Sequence, residues 1–263
     1  MDLHLTGKRA FVSGSTQGIG YASAKALLSE GATVVINGRS AESVASAVVR
    51  LKDEVPGASV SGIAADLADA SQTESLVAEL SGIGILINNI GIFDIGAFAD
   101  TTDDDWLSYF TINVMSAVRL SRSLLPSMLA SDWGRIIFIG SESGVNVPAD
   151  MVAYGVTKAA NIALSNGLAK LTRGTEVTIN TVLGGPTYSH GVSRAVEQIA
   201  EAQGMPVGDL KAAIIGGNQT SLLERFIEPD EIAALVTYLA SPLSSATNGA
   251  ALRADGGVLT GIL

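Results

Sequence analysis

The stretch Lys8-Arg9-Ala10-Phe11-Val12-Ser13-Gly14-Ser15-Thr16-Gln17-Gly18-Ile19-Gly20 decides how the rest of this chain is read. Arg9–Val12 has the composition of a short buried strand, the glycines after it mark a tight turn, and Gly18–Glu30 follows a helical pattern. A strand, a glycine-rich turn and a helix in that order put the helix's unpaired N–H groups and positive dipole end at the turn. That is where a dinucleotide leaves its pyrophosphate. The spacing Gly14-x-x-x-Gly18-x-Gly20 differs from the commoner G-x-G-x-x-G. The glycines serve the same ends, close backbone approach to phosphate and tight packing of helix on sheet.

The same alternation continues along the chain. Strands are expected at Thr33–Asn37, Val60–Ala65, Ile83–Asn88, Arg135–Ile139, Thr178–Leu183 and Ala250–Arg253. Helices are expected at Ala41–Glu54, Ser71–Leu80, Asp103–Leu129, Ala153–Leu171 and Pro229–Leu239. Several strands are unbroken apolar runs, as parallel strands covered on both faces require. The expectation is an α/β fold: one domain over 1–263, a doubly wound parallel sheet of about seven strands. The 190–226 segment follows a strand, exceeds an ordinary connection and reads as a substrate lid.

Composition narrows the function. A net charge of −10 argues against nucleic acid as the partner, because phosphate binding needs clustered Lys and Arg. With no cysteine and only His4 and His190, neither a disulfide nor a metal site is expected. The apolar stretch near Gly82–Phe93 is too short to span a bilayer. No basic region followed by an apolar run opens the chain, so a cytoplasmic protein is expected.

At the end of the second strand stand Asn37, Gly38 and Arg39. An acid in that region holds a ribose 2′-hydroxyl, whereas a guanidinium pairs with a 2′-phosphate. NADP(H) is therefore the preferred cofactor, with NAD(H) as the alternative. Asp66, followed by Leu67, ends the third strand and is placed to accept from an adenine amino group; Asn88-Asn89-Ile90-Gly91 closes the fourth at the same edge.

Tyr154 and Lys158 lie four residues apart, hence on one helix face about 5–6 Å apart. A phenol beside an ammonium is a proton-transfer pair. Lowering a tyrosine pKa from about 10 to about 7 takes roughly 4 kcal/mol of phenolate stabilisation. Lys158, with the positive nicotinamide of an oxidised cofactor, is the expected source. Ser141 would hydrogen-bond the substrate oxygen and hold it near the tyrosine. His190 reads as an exposed loop residue.

Together these residues resemble the classical short-chain dehydrogenase/reductases over essentially the full length. Ser13–Gly20 looks like that family's cofactor turn, with Gly14, Ser15, Gln17, Gly18, Ile19 and Gly20 as cofactor contacts. Asn88-Asn89-Ile90-Gly91 resembles its N-N-A-G segment, Ser141 its serine, and Tyr154-Gly155-Val156-Thr157-Lys158 its Y-x-x-x-K. Arg225, Pro229–Ala233 and Asp255-Gly256-Gly257 resemble its C-terminal third. The resemblance implies a water held by Asn113 that links Lys158 to solvent, and a homotetramer. It also implies cofactor contacts from Asn37, Asp66, Leu67, Asn89, Gly91, Pro186 and Thr187. Two departures stand out. Gly184-Gly185 replaces the family's Pro-Gly after the sixth strand, which should loosen the loop beside the nicotinamide, and Gln17 replaces a basic residue common in NADP-preferring members.

The expected chemistry is hydride transfer between NADP(H) and a small carbonyl or secondary alcohol. Glu142, Val145, Met151, Gly185, Pro186 and Tyr188 are the substrate-side candidates. The alternatives are a 3-oxoacyl-carrier-protein reductase and, in another class, a non-catalytic nucleotide sensor on the same fold.

Overall fold

The computed structural model describes residues 2–218 and 220–262, so positions 1, 219 and 263 of the expected domain lie outside the described residues. Seven strands, β1 (Arg9–Val12), β2 (Thr33–Gly38), β3 (Val60–Ala64), β4 (Ile85–Asn88), β5 (Trp133–Ser141), β6 (Glu176–Gly184) and β7 (Ala251–Ala254), form one sheet in the order β3-β2-β1-β4-β5-β6-β7. Every pairing is parallel. The strand order reverses between β1 and β4, and a crevice opens beyond the carboxyl ends of strands at such a point.

Successive strand residues face opposite sides, which separates two cores. Val12, Ile36, Ile87 and Ile137 point to one face, where α1 (Gly18–Ser29), α2 (Ala41–Glu54) and α9 (Pro229–Ala240) cover them through residues such as Leu27, Leu51 and Val236. Their neighbours Phe11, Val35, Leu86 and Ile136 point to the other face. There they meet Leu76 of α3 (Ala70–Glu79) and Leu120 and Leu124 of α5 (Ser116–Ala130). Among the described residues no helix is long and apolar enough to cross a membrane.

The helix expected over Asp103–Leu129 is interrupted. α4 (Asp103–Tyr109) and α5 are joined by a π-helical segment, Phe110–Met115, that contains Asn113. Such bulges add a residue to the helical repeat and recur at functional sites. Thr102 and Asp105 form a reciprocal cap at the start of α4. The 190–226 segment contains α7 (His190–Gln203) and α8 (Val207–Gly217), which share a small core of Val196, Ala200 and Leu210. The fourth strand begins two residues later than expected, at Ile85, while β5 and β6 run longer, to Ser141 and Gly184, which pair with each other.

Candidate active site

Gly14 and Gly18 have φ of 58° and 60°, a left-handed conformation that glycine adopts without strain. At Gly20 a Cβ would lie 2.4 Å from Asn89 Nδ2 and 2.6 Å from the Gly14 carbonyl, so any side chain would drive α1 off the turn. Asn89 Nδ2 donates to the carbonyls of Ser13 (3.1 Å) and Gly14 (2.8 Å). Asn37 Oδ1 accepts from Gly14 N at 3.2 Å while its Nδ2 donates to the Ile63 and Ala65 carbonyls. Two side-chain amides, Asn37 buried and Asn89 partly buried, thus fix the turn to β2, β3 and β4. The N-terminus of α1 has no side-chain cap and no acid in its first turn, which leaves its N–H groups for an anion.

Beside the turn lies a hollow of about 260 Å³ that includes Gly38, Arg39, Asp66, Leu67, Asn89 and Gly91. Arg39 is exposed and makes no ion pair among the described residues. Asp66 accepts from Ala68 N at 3.0 Å, and the carbonyls of Leu67 and Ala68 each accept from Arg119 at 3.1 Å. A larger cleft of about 450 Å³ adjoins it through Gly14, Gln17, Asn89 and Gly91, and reaches Ser141, Tyr154 and Lys158. A left-handed glycine turn, an uncapped helix end and a continuous cleft to a phenol–ammonium pair suit a nicotinamide dinucleotide. Adenosine would take the smaller hollow and the nicotinamide ring the larger.

β5 delivers Ser141 and α6 (Val152–Ala169) delivers Tyr154 and Lys158. Two glycines let these elements meet. A Cβ on Gly144 would lie 2.8 Å from the Lys158 carbonyl carbon, and one on Gly155 would lie 2.6 Å from Val147 Cγ1. Lys158 Nζ donates to the Ile139 carbonyl at 2.8 Å and stands 5.6 Å from the centre of the Tyr154 ring. Burial pushes the Tyr154 phenol up to about 12; the nearby Ser141 side chain opposes this and the Glu142 charge adds to it. Burial pushes Lys158 down to about 8, against the attraction of Glu142. In the protein without cofactor, desolvation dominates and the phenol stays protonated; the lowering expected from Lys158 together with an oxidised nicotinamide concerns the loaded enzyme. Glu142 Oε2 accepts from Ser141 Oγ, Ser143 N (2.7 Å) and Ser143 Oγ (3.2 Å).

The structure brings most of the expected residues to the cleft. Gly14, Gln17, Gly18, Ile19, Asn89, Gly91, Ser141, Glu142, Met151, Tyr154, Lys158, Gly185, Pro186 and Thr187 line its larger part. Five residues have a different place. Ser15 is fully buried, its hydroxyl donating to the Val12 carbonyl at 2.6 Å, so it builds the turn from behind. Asn37 borders the smaller hollow, but its amide is committed to protein partners. Asn113 is fully buried; its amide exchanges hydrogen bonds with Ile92 N (2.7 Å) and the Ile92 carbonyl (2.9 Å), which closes the loop after β4. Its own carbonyl accepts from Asn161 Nδ2 at 2.8 Å, on the side where the resemblance implies a water. Val145 is exposed outside the cleft. Tyr188 packs on Phe226 (5.4 Å) beneath the Lys211 ammonium (3.6 Å), at the base of the lid.

Gly184 corrects another expectation. It pairs with Ser141 on one side and Ala254 on the other, and a Cβ there would meet Ile232 at an ordinary 3.6 Å. Sheet pairing on both sides holds this residue, so the missing proline does not loosen it. Gly185 is the constrained one, since a Cβ would lie 2.4 Å from the Asp255 carbonyl oxygen. Several lining residues were not read from the sequence, among them Phe93, Ser143 and Ser189. Phe93 sits edge-on to Tyr154 at 6.0 Å. His190 is exposed, as expected, yet borders the cleft at the start of α7. No local pattern marks these positions, because chain folding alone assembles them.

Comparison with known proteins agrees with this geometry. Residues 8–200 match the short chain dehydrogenase family model. An uncharacterised oxidoreductase of Bacillus subtilis, YvrD, is 44% identical over 98% of this chain and 99% of its own. The D-beta-hydroxybutyrate dehydrogenase of Cupriavidus necator is 34% identical over 96% of this chain and 98% of its own. Among solved structures, L-sorbose reductase from Gluconobacter frateurii complexed with NADPH and L-sorbose superposes with a TM-score of 0.94 at 28% identity, covering 100% of both chains. The chain belongs to the short-chain dehydrogenase/reductase family. It is an NAD(P)-dependent oxidoreductase.

Proposed function

We propose that the protein is an NADPH-dependent reductase of small, free ketones, with Tyr154 as the general acid. The observation that carries this is the convergence of Ser141, Tyr154 and Lys158 on the floor of the cleft that begins at the glycine turn. NADPH as the cofactor rests on Arg39, free of ion pairs among the described residues at the adenosine end, and on the NADPH bound in the structurally similar L-sorbose reductase. Bound there, NADPH would supply a hydride to the carbonyl carbon. The protein's task is then to hold the carbonyl oxygen and to deliver a proton to it.

A phenol held protonated up to about 12 is in the correct form to give that proton in the reduction direction. Lys158, buried beside it, favours the phenolate left behind. Ser141 orients the substrate oxygen. Reprotonation of Tyr154 from solvent would run by way of Lys158 and a water held at Asn113.

A carrier-bound 3-oxoacyl substrate is less favoured. Beside the catalytic cleft lies a hollow of about 190 Å³ that carries Asp94, Asp100, Asp105 and Asp150, and an acidic carrier would meet like charge there. We place the enzyme in the cytoplasm, as expected from its sequence, with a diffusible reductant. We further propose a homotetramer. Leu107 and Phe110, three residues apart on the α4 side, are exposed, and Ile262 near the end of the chain is 98% exposed. Val258 is buried on its own subunit and Arg253 donates to the carbonyls of Leu259 and Gly261, so only the last part of the apolar tail is available to a neighbour. Leu263 of that tail lies outside the described residues.

The mechanism is tested by Tyr154→Phe, which keeps the ring and removes the acid. It should bind NADPH as the parent does, by fluorescence titration, and lose at least about 100-fold in kcat with any accepted ketone. Retention of half the parent turnover would refute the assignment.

A further inference from the structure

Ser141 has one proton, and in this protein it is directed at its neighbour: Ser141 Oγ donates to Glu142 Oε2. The same oxygen holds Ser143 N and Ser143 Oγ. A serine hydroxyl in that state offers a carbonyl oxygen only its lone pairs. To orient a substrate carbonyl, Ser141 must turn its O–H away from Glu142, which strips the carboxylate of one of its three donors. A simple ketone has nothing to put in that place.

From this geometry we infer that Glu142 is a specificity-determining residue that selects ketones bearing a hydroxyl on the carbon next to the carbonyl; the inference rests on the reductase reading above. Covalent geometry keeps a vicinal hydroxyl close to the carbonyl oxygen, within reach of the adjacent side chains Ser141 and Glu142. Its O–H replaces the serine as donor to Glu142 Oε2, and the serine O–H turns to the carbonyl. Each donor then has one acceptor, and Glu142 Oε2 again accepts from three donors. Hydride adds to the carbonyl carbon and the Tyr154 proton to the oxygen, so the product is a vicinal diol and the oxidised cofactor.

Charge excludes the neighbouring substrate classes. A carboxylate in the hydroxyl's place brings no donor and adds negative charge beside Glu142. An ammonium there would face Lys158, which lies in the same cleft and senses the Glu142 charge. A neutral hydroxyl answers both. Asp100 and Asp150, in the hollow that shares Met151 and Tyr154 with the cleft, add acceptors for hydroxyls further along a polyol chain.

The test compares 1-hydroxypropan-2-one with 1-methoxypropan-2-one, which withdraws electrons similarly but carries no donor. Pyruvate, 1-(dimethylamino)propan-2-one and butane-2,3-dione complete the set, with NADPH oxidation followed in the parent, Glu142→Gln and Glu142→Ala. The parent should prefer the hydroxy ketone over the methoxy ketone by about ten- to hundredfold in kcat/KM, the range for a hydrogen bond to a charged group. Glu142→Ala should bring that ratio to within about threefold, and Glu142→Gln, whose amide oxygen still accepts, should lie between. Equal rates for the pair in the parent, an unchanged ratio in Glu142→Ala, or a preference for the amino ketone would each overturn the inference. If Glu142→Ala no longer binds NADPH, Glu142→Gln decides: a lowered ratio supports the inference and an unchanged one refutes it. Reduction of the dione with no hydroxyl preference removes only the role of Glu142. No NADPH oxidation with any of the five removes the reductase reading, and this inference with it.

Discussion

Replacing Lys158 by methionine should stabilise the cofactor-free protein while abolishing its turnover. Lys158 is 4% exposed, and burial takes it from its ordinary 10.5 to about 8. At ~1.36 kcal/mol per pH unit, holding this ammonium charged in the folded state near neutral pH costs about 3 kcal/mol. The methionine stem is also unbranched and adapts to the same channel. It leaves the Ile139 carbonyl without the lysine donor, which costs roughly 1–2 kcal/mol. A net gain of about 1–2 kcal/mol near pH 7 follows. The pH dependence gives the sharper test. The unfolded chain keeps this proton to about pH 10.5 and the folded chain releases it near 8, so between them the unfolded state binds more protons. Stability of the parent should therefore rise through that window, whereas the methionine variant lacks this contribution. Urea denaturation of both proteins from about pH 6.5 to 10 measures the difference, in which the other titrating groups cancel. A variant less stable than the parent near neutral pH, or a difference that stays constant across the window, would refute the reasoning.

Two further outcomes are expected. Arg39→Ala should weaken NADPH binding by about ten- to hundredfold and leave NADH nearly unchanged, because a phosphate–guanidinium contact is worth roughly 1.5–3 kcal/mol; equal loss for both cofactors would place Arg39 away from the 2′-phosphate. Light scattering at micromolar concentration should report four times the chain mass of 26.9 kDa. A monomer would overturn the proposed assembly.

The sheet, its parallel sense and the cofactor turn were legible in the sequence because local rules govern them. Unbroken apolar runs mark strands buried on both faces, glycine is favoured at the φ of Gly14 and Gly18, and only glycine tolerates the contact at Gly20. The spacing of Tyr154 and Lys158 on one helix was equally local. Element ends were less so: a continuous helical pattern over Asp103–Leu129 conceals the π-helical segment at Asn113, which accompanies hydrogen bonds to Ile92 and Asn161 on distant elements. The roles of Ser15, Asn37, Val145 and Tyr188 belong to the tertiary structure alone, since composition does not say which way a polar or apolar side chain turns. So does the ionisation of the catalytic pair. In sequence, Lys158 stands one turn from Tyr154 and, with an oxidised nicotinamide, should lower its pKa; in the folded protein without cofactor, desolvation, a property of everything packed around them, is the largest influence on both groups.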